Sequence, residues 1–194
     1  MIEFEAKFLD VEKESIRTLL SQKGAILIRP EHNQRRFNFH LPKEKRSNDS
    51  WLRVRDEGNK ITLALKMTTG SNIEDQKEIQ LVIDSFDRAI ELLESIGCEK
   101  KAYQESKREL WKIGQVEITI DEWPGLEPFV EIEGLSEDDV KRCSEILGFN
   151  YETALFSSVG KVYKIKYGIS LDEIERKVGD ITFDNEKLMA LKKT

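Results

Sequence analysis

Ile2-Glu3-Phe4-Glu5-Ala6-Lys7-Phe8 is the stretch on which the fold turns. Apolar and charged residues alternate through it with a period of two, the pattern of a strand buried on one face, and its charged face carries Glu3, Glu5 and Lys7. The same period recurs downstream. In Trp51 to Arg55, Leu52 and Val54 oppose Arg53 and Arg55; in Lys60 to Lys66, Ile61, Leu63 and Leu65 oppose Thr62, Ala64 and Lys66. Asp56-Glu57-Gly58-Asn59 joins those two runs as a hairpin turn. Further strands are predicted at Glu78 to Ile83, at Glu117 to Asp121 after the turn Ile113-Gly114-Gln115, and at Phe129 to Glu133. Tyr103 to Trp111 reads as the partner of Glu117 to Asp121, and Gln34 to His40 as one more strand.

Three helix signatures interrupt the strands. Asp10 opens a run with Val11, Ile16, Leu19 and Leu20 at helical spacing, stopped by Gly24. Asp84-Ser85 opens a second, with Phe86, Ala89, Ile90, Leu93 and Ile96 apolar and Gly97 as the stop. The third begins at Ser136, with Asp139 in the position of a capping box, and ends at Gly148. Hairpin-length connections with occasional helices predict an α+β fold with a largely antiparallel sheet. After Tyr151 the chain breaks into short segments, of which Ser170 to Val178 and Asp184 to Lys192 are predicted helices. The expected organisation is one domain over residues 1–164 and a helical extension over 165–194, packed on the same domain or on a partner subunit in a homodimer.

Composition narrows the chemistry. The 194 residues include 31 Lys and Arg against 37 Asp and Glu, a net charge of −6, with 35% of positions charged and 39% hydrophobic. That length and apolar content suit a single core. No apolar run approaches the roughly 20 residues of a membrane span, and the first residues lack the basic start and apolar run of a secretory leader, so the expected compartment is the cytoplasm. Cys98 and Cys143 each sit near the end of a predicted helix, outside any CxxC pair, and read as buried thiols. With His32 and His40 the only histidines, a zinc centre of nitrogen and sulfur ligands is excluded. A bound metal would be held by carboxylates, which favours magnesium, manganese or calcium. An acidic chain without a Lys/Arg block also argues against non-specific nucleic-acid binding.

The informative feature is what the polar strand faces carry: Glu3, Glu5 and Lys7; Arg53 and Arg55; Lys66; Glu78; Glu117 and Asp121; Glu131 and Glu133. Any one Glu-x-Glu is compatible with a solvated face. Like charges two residues apart on several strands repel, however, unless opposite charges or a ligand lie between them. A closed barrel would aim them at one lumen, where acidic pairs suit hard divalent cations and arginine pairs suit phosphate oxygens through planar bidentate hydrogen bonds. The apolar faces would then pack outward against the helices.

Seven elements in order resemble the CYTH superfamily, the triphosphate tunnel metalloenzymes. Glu3-Phe4-Glu5-Ala6-Lys7 matches its ExExK signature, Leu52-Arg53-Val54-Arg55 its RxR strand, and Leu63-Ala64-Leu65-Lys66 its strand ending in lysine. Lys77-Glu78-Ile79 is similar to the acidic strand before the central helix and Lys107-Arg108-Glu109-Leu110-Trp111 to the basic strand. Ile118-Thr119-Ile120-Asp121 resembles the aspartate strand and Phe129-Val130-Glu131-Ile132-Glu133-Gly134 the closing FxExEG strand. The likeness runs from residue 2 to about residue 163.

That resemblance implies an antiparallel eight-stranded β-barrel, a tunnel with helices outside it, holding a triphosphate on a basic half and Mg2+ or Mn2+ on an acidic half. Transferred by position, Lys7, Arg53, Arg55, Lys66 and Arg108 hold phosphate, with Lys161 as a sixth base, and Glu3, Glu5, Glu78, Asp121, Glu131 and Glu133 hold metal. Glu3, Glu5, Lys7, Lys66 and Arg108 would be nearest the chemistry. The implied reaction is metal-assisted phosphoryl transfer. Water attacking the terminal phosphorus makes a triphosphatase acting on inorganic, thiamine or nucleoside triphosphate; a ribose 3′-hydroxyl attacking the α-phosphorus makes an adenylyl cyclase; binding without turnover makes a sensor. Hydrolysis is the expected outcome, because no adenine-reading residues are identifiable. Relatives, cyclases especially, also carry an acidic residue before an aromatic in the second strand, whereas this chain has Gln34-Arg35-Arg36-Phe37-Asn38-Phe39. Arg35 or Arg36 is therefore a candidate for substrate contact at the tunnel mouth. Trp123-Pro124-Gly125 reads as a turn, and Trp51, Trp111 and Trp123 as core or rim residues.

Overall fold

A computed structural model describes residues 2–46, 50–68, 70 and 72–191. Eight strands form one sheet: β1 (Phe4–Phe8), β2 (Ile26–His40), β3 (Ser50–Asp56), β4 (Ile61–Thr68), β5 (Gln76–Ile83), β6 (Glu99–Ile113), β7 (Val116–Glu122) and β8 (Phe129–Gly134). Their order is β1-β8-β7-β6-β2-β3-β4-β5, with every neighbouring pair antiparallel. The sheet curls until its two edge strands meet at a seam. There an isolated antiparallel bridge joins Ile2 to Lys77, and the Glu3 amide donates to the Gln76 carbonyl at 2.9 Å. The barrel expected from the sequence is thus a curled sheet closed along this short contact.

Alternation fixes which face looks inward. The outward faces of β1, β7 and β8 place Ala6, Phe8, Ile118, Ile120, Val130 and Ile132 against Ile16 and Leu20 of α1 (Lys13–Gln22) and Val140 and Cys143 of α3 (Glu137–Ile146). Over β2, β3 and β4, α2 (Phe86–Ser95) covers Phe39 and Val54 with Phe86, Ala89, Ile90 and Leu93. Burying a side chain of this size contributes about 1.5–3 kcal/mol, so this patterning fixes the register of each strand. Glu12 caps α1, Ser85 caps α2 and Ser136 caps α3. Cys98 and Cys143 are buried free thiols.

The C-terminal segment makes a third core. α4 (Val159–Tyr167), α5 (Leu171–Val178) and α6 (Glu186–Met189) bury Val162, Tyr163, Tyr167, Ile174, Val178, Ile181 and Leu188 with Trp123, Leu126 and Phe129. The 164/165 boundary expected from the sequence falls inside α4. Ser170 forms the capping box of α5 with Glu173, and the last helix is shorter than expected, with Lys192 outside the described residues. Among the described residues no helix is long and apolar enough to cross a membrane.

Candidate active site

Inward-facing residues of the curled sheet form a lumen lined by charge. β1 contributes Glu5 and Lys7, preceded by Glu3, and the register sets Lys7 opposite Glu131 and Glu5 opposite Glu133. Glu133 in turn faces Glu117, Arg108 faces Asp121, and Lys66 faces Glu78. Arg36 lies opposite Arg55, two guanidinium groups on adjacent strands.

Most of these charges neutralise one another. Lys7 is bonded to Glu5 and lies 3.1 Å from Glu131. Arg108 donates two parallel bonds of 2.7 Å to Asp121, which also accepts from the Thr119 hydroxyl at 2.8 Å, and a third of 2.5 Å to Glu131. Lys66 sits 2.9 Å from both Glu3 and Glu78, and Arg53 is 3.1 Å from Glu78. Although burial opposes it, Arg53 and Lys66 hold the Glu78 carboxyl down at about 2; Lys7 and Arg108 likewise hold Glu131 well below the ordinary range. Burial pulls the Lys7 ammonium down, but Glu131 and Glu5 outweigh it and hold the group above the ordinary lysine range.

At one end three acids crowd together: Glu3 stays bonded to Lys66 and Glu5 to Lys7, while Glu133 has no basic partner among the described residues. Carboxylate oxygens of Glu3, Glu5 and Glu133 all lie within 4.8 Å of one another. Burial, reinforced by Glu5 and Glu78 and opposed by Lys66, raises Glu3 to about 8. Burial and then repulsion from Glu5 and Glu117 push Glu133 up to about 7, and since Glu133 is exposed at the lumen mouth, solvent offsets part of the burial contribution. Three oxygen-donor side chains that resist simultaneous ionisation are the donor set of a hard divalent cation, and they fit Mg2+ or Mn2+. Of the six carboxylates expected to hold metal, these three come together, with Lys66 on Glu3 and Lys7 on Glu5; Glu78, Asp121 and Glu131 lie outside the group, each paired with a lysine or arginine.

At the other end donors are left over. The Nε atoms of Arg36, Arg53 and Arg55 are buried without an acceptor. Glu57 is the carboxylate beside Arg55, at 2.5 Å. Burial and then Arg53 lower Arg55 to about 10. The C-terminal helices cover this end: Gln104 donates to Glu175 of α5 at 2.7 Å, and Trp123 meets Tyr163 of α4 edge-on at 6.5 Å.

Lys161 is exposed on the first turn of α4 and forms no ion pair or side-chain hydrogen bond among the described residues. Of the two arginines expected at the tunnel mouth, Arg36 lies buried inside the lumen against Trp123, at the covered end rather than the mouth, and Arg35 is exposed and bonded to Asp56 at 3.0 Å. Glu57, Gln34, Ser106 and Gln104 were missed. Glu57 hid in a turn motif, whereas stepping by two from Arg36 and from Arg108 would have found the other three. Trp111 is buried in the outer core and Trp123 at the covered end, matching their reading as core or rim residues.

The CYTH domain family model matches residues 1–159. A Methanocaldococcus jannaschii protein bearing the provisional name adenylate cyclase is 24% identical over 148 residues, covering 76% of this chain and 84% of that protein. A Vibrio parahaemolyticus crystal structure, provisionally named an adenylate cyclase, superposes with TM-score 0.72 at 14% identity, covering 84% of this chain and 98% of that one. A Hippeastrum protein named for adenylyl cyclase but described by its dominant triphosphatase activity superposes with TM-score 0.57 at 17% identity, covering 87% and 97%.

Proposed function

The chain belongs to the CYTH domain family, and on that premise we propose that it is a divalent-metal-dependent triphosphatase that hydrolyses inorganic, thiamine or nucleoside triphosphate in its lumen. The observation that carries this reading is the sorting of basic donors and crowded carboxylates within the lumen. A buried arginine group with unused donors lies at one end, and three carboxylates that crowd one another lie at the other. A triphosphate carrying its cation satisfies both at once.

Arg53 and Arg55 present fixed donors to phosphate oxygens, and in the lumen such donors act without the reorganisation that water would require. Lys7, Lys66 and Arg108, like Arg53 with Glu78 and Arg55 with Glu57, already carry carboxylate partners, so an entering phosphate competes for their bonded donors and finds unused the Nε groups of Arg53 and Arg55. Water attacks the terminal phosphorus: the new phosphorus–oxygen bond forms, the bridging bond breaks, the departing phosphate keeps the electron pair, and the proton released by the water passes to a phosphate oxygen. The lumen bases neutralise the charge that builds on the departing oxygens. The cation, when bound to Glu3, Glu5 and Glu133, supplies Lewis acidity and positive charge against the phosphate oxygens.

The names of the Methanocaldococcus and Vibrio relatives favour a second reading, cyclisation of ATP to cyclic AMP and pyrophosphate. Incubating the protein with tripolyphosphate, thiamine triphosphate or ATP, each with Mg2+ or Mn2+, and separating the products distinguishes the two. Orthophosphate is the expected product; cyclic AMP with pyrophosphate would replace hydrolysis by cyclisation. Stabilisation by triphosphate without turnover would leave a polyphosphate sensor.

A further inference from the structure

Arg36 has no carboxylate partner among the described residues. Its guanidinium donates to the Gln34 side-chain oxygen at 2.8 Å and to the Ser106 hydroxyl, and one face is stacked 4.4 Å over the Trp123 ring. Arg55 stands directly across the strand pair, and Arg53 faces the next inward position, Asn38. Arg36, Arg53 and Arg55 are only 5%, 9% and 8% exposed, and each leaves its Nε without an acceptor. Burial and the neighbouring guanidinium charges together pull Arg36 far below the ordinary arginine range. Buried like charges with unused donors are held together at a cost that a multivalent anion removes.

The covered end of the lumen says which part of an anion belongs there. Beyond Arg36 stand Trp123, Tyr163 and the Gln104–Glu175 bond, all seated in the C-terminal helical core. The opposite end, with Glu133 exposed, is where a substituent has access to solvent. Resting on the triphosphate reading above, we propose that Arg36 is a specificity-determining residue which, with Arg53 and Arg55, binds the free terminal phosphoryl group of a linear phosphate chain inserted end-first. Any organic substituent then lies toward the acidic mouth, and a triphosphate esterified at both ends is rejected.

Calorimetric titration of the full chain with tripolyphosphate and with diadenosine triphosphate, whose two ends are both esterified, tests this. The unmodified protein should bind tripolyphosphate at least about tenfold more tightly than the diester. Arg36→Gln should weaken tripolyphosphate roughly 10- to 100-fold, the range of lost charge-assisted hydrogen bonds, and bring the two ligands close to parity. Arg36→Lys, which keeps the charge but not the planar fork, should fall between them and carries the test if Arg36→Gln does not fold. Folded Arg36 variants that preserve the preference would overturn the inference, as would equal binding of the two ligands by the unmodified protein. That second result leaves the triphosphate reading standing. Binding of neither ligand would remove both.

Discussion

Glu131→Gln is the substitution whose consequences the lumen geometry determines most fully. The Glu131 carboxylate sits between Lys7 at 3.1 Å and Arg108 at 2.5 Å, the only carboxylate touching both bases among the described residues. Removing one partner from a buried ion pair costs about 3–5 kcal/mol. Glutamine keeps one oxygen to accept from either base, so the net loss should be about 2–3 kcal/mol. In a chain of 194 residues, each kcal/mol moves the melting temperature by about 2–4 °C, which gives a fall of about 4–12 °C. The lumen also becomes one charge more positive, so tripolyphosphate should raise the melting temperature more in the variant than in the parent. Scanning calorimetry at pH 7 with and without tripolyphosphate reads both effects. A ligand-free melting temperature within about 1 °C of the parent would refute the assignment of Glu131 as the shared counter-ion. Titration with MgCl2 adds a contrast: its midpoint should move less in Glu131→Gln than in Glu133→Gln, since Glu133 belongs to the three-carboxylate group and Glu131 does not.

Acidity should couple to metal. Glu3 and Glu133 are raised to about 8 and about 7 in the folded protein, against about 4.3 in an unfolded chain. Their contribution to stability is therefore fully present below about pH 4.3 and lost as pH rises through 7 to 8, so the metal-free melting temperature should fall between pH 5.5 and 8.5. MgCl2 should stabilise the protein more at pH 8.5 than at pH 5.5, and equal stabilisation at the two would argue against these carboxylates as ligands. Replacing Arg53 and Arg55 together by alanine should weaken tripolyphosphate binding at least about 100-fold by calorimetry, since two sets of charge-assisted bonds are lost. Lys161→Ala should leave tripolyphosphate affinity within about twofold, as expected of an exposed side chain without a partner.

Strands whose alternation is uninterrupted were legible in sequence, and β1, β3, β4, β7 and β8 lie close to their expected positions. The front of β2 was not. Between Ile26 and Glu31 the ladder with β6 shifts register twice, at Leu27/Arg29 and Arg29/His32, and Pro30 interrupts the pattern, so periodicity signals nothing there. α4 escaped for a different reason. Gly160 lies in its first turn, and its buried Val162, Tyr163 and Tyr167 are β-branched or aromatic residues that read equally as strand. The candidate site was legible as a list but not as an arrangement. Glu131 and Glu133 share one strand and one face, yet one is a counter-ion to Lys7 and Arg108 while the other joins Glu3 and Glu5. That division depends on cross-strand neighbours, which a single chain does not display.

The order of strands also bears on how the protein reaches its folded state. β1 is made first during synthesis but pairs with β8, more than 120 residues later in the chain. Glu3 and Glu5 therefore meet Glu133 only after everything between them has been arranged. The local β3–β4 and β6–β7 hairpins can form early, whereas closing β1 on β8 carries the entropy of a long loop. Before that closure Arg53 can already pair with Glu78 and Arg55 with Glu57 inside the β3–β5 unit, whereas the three-carboxylate group cannot exist. The pairing that completes the sheet is therefore also the one that assembles the candidate cation site.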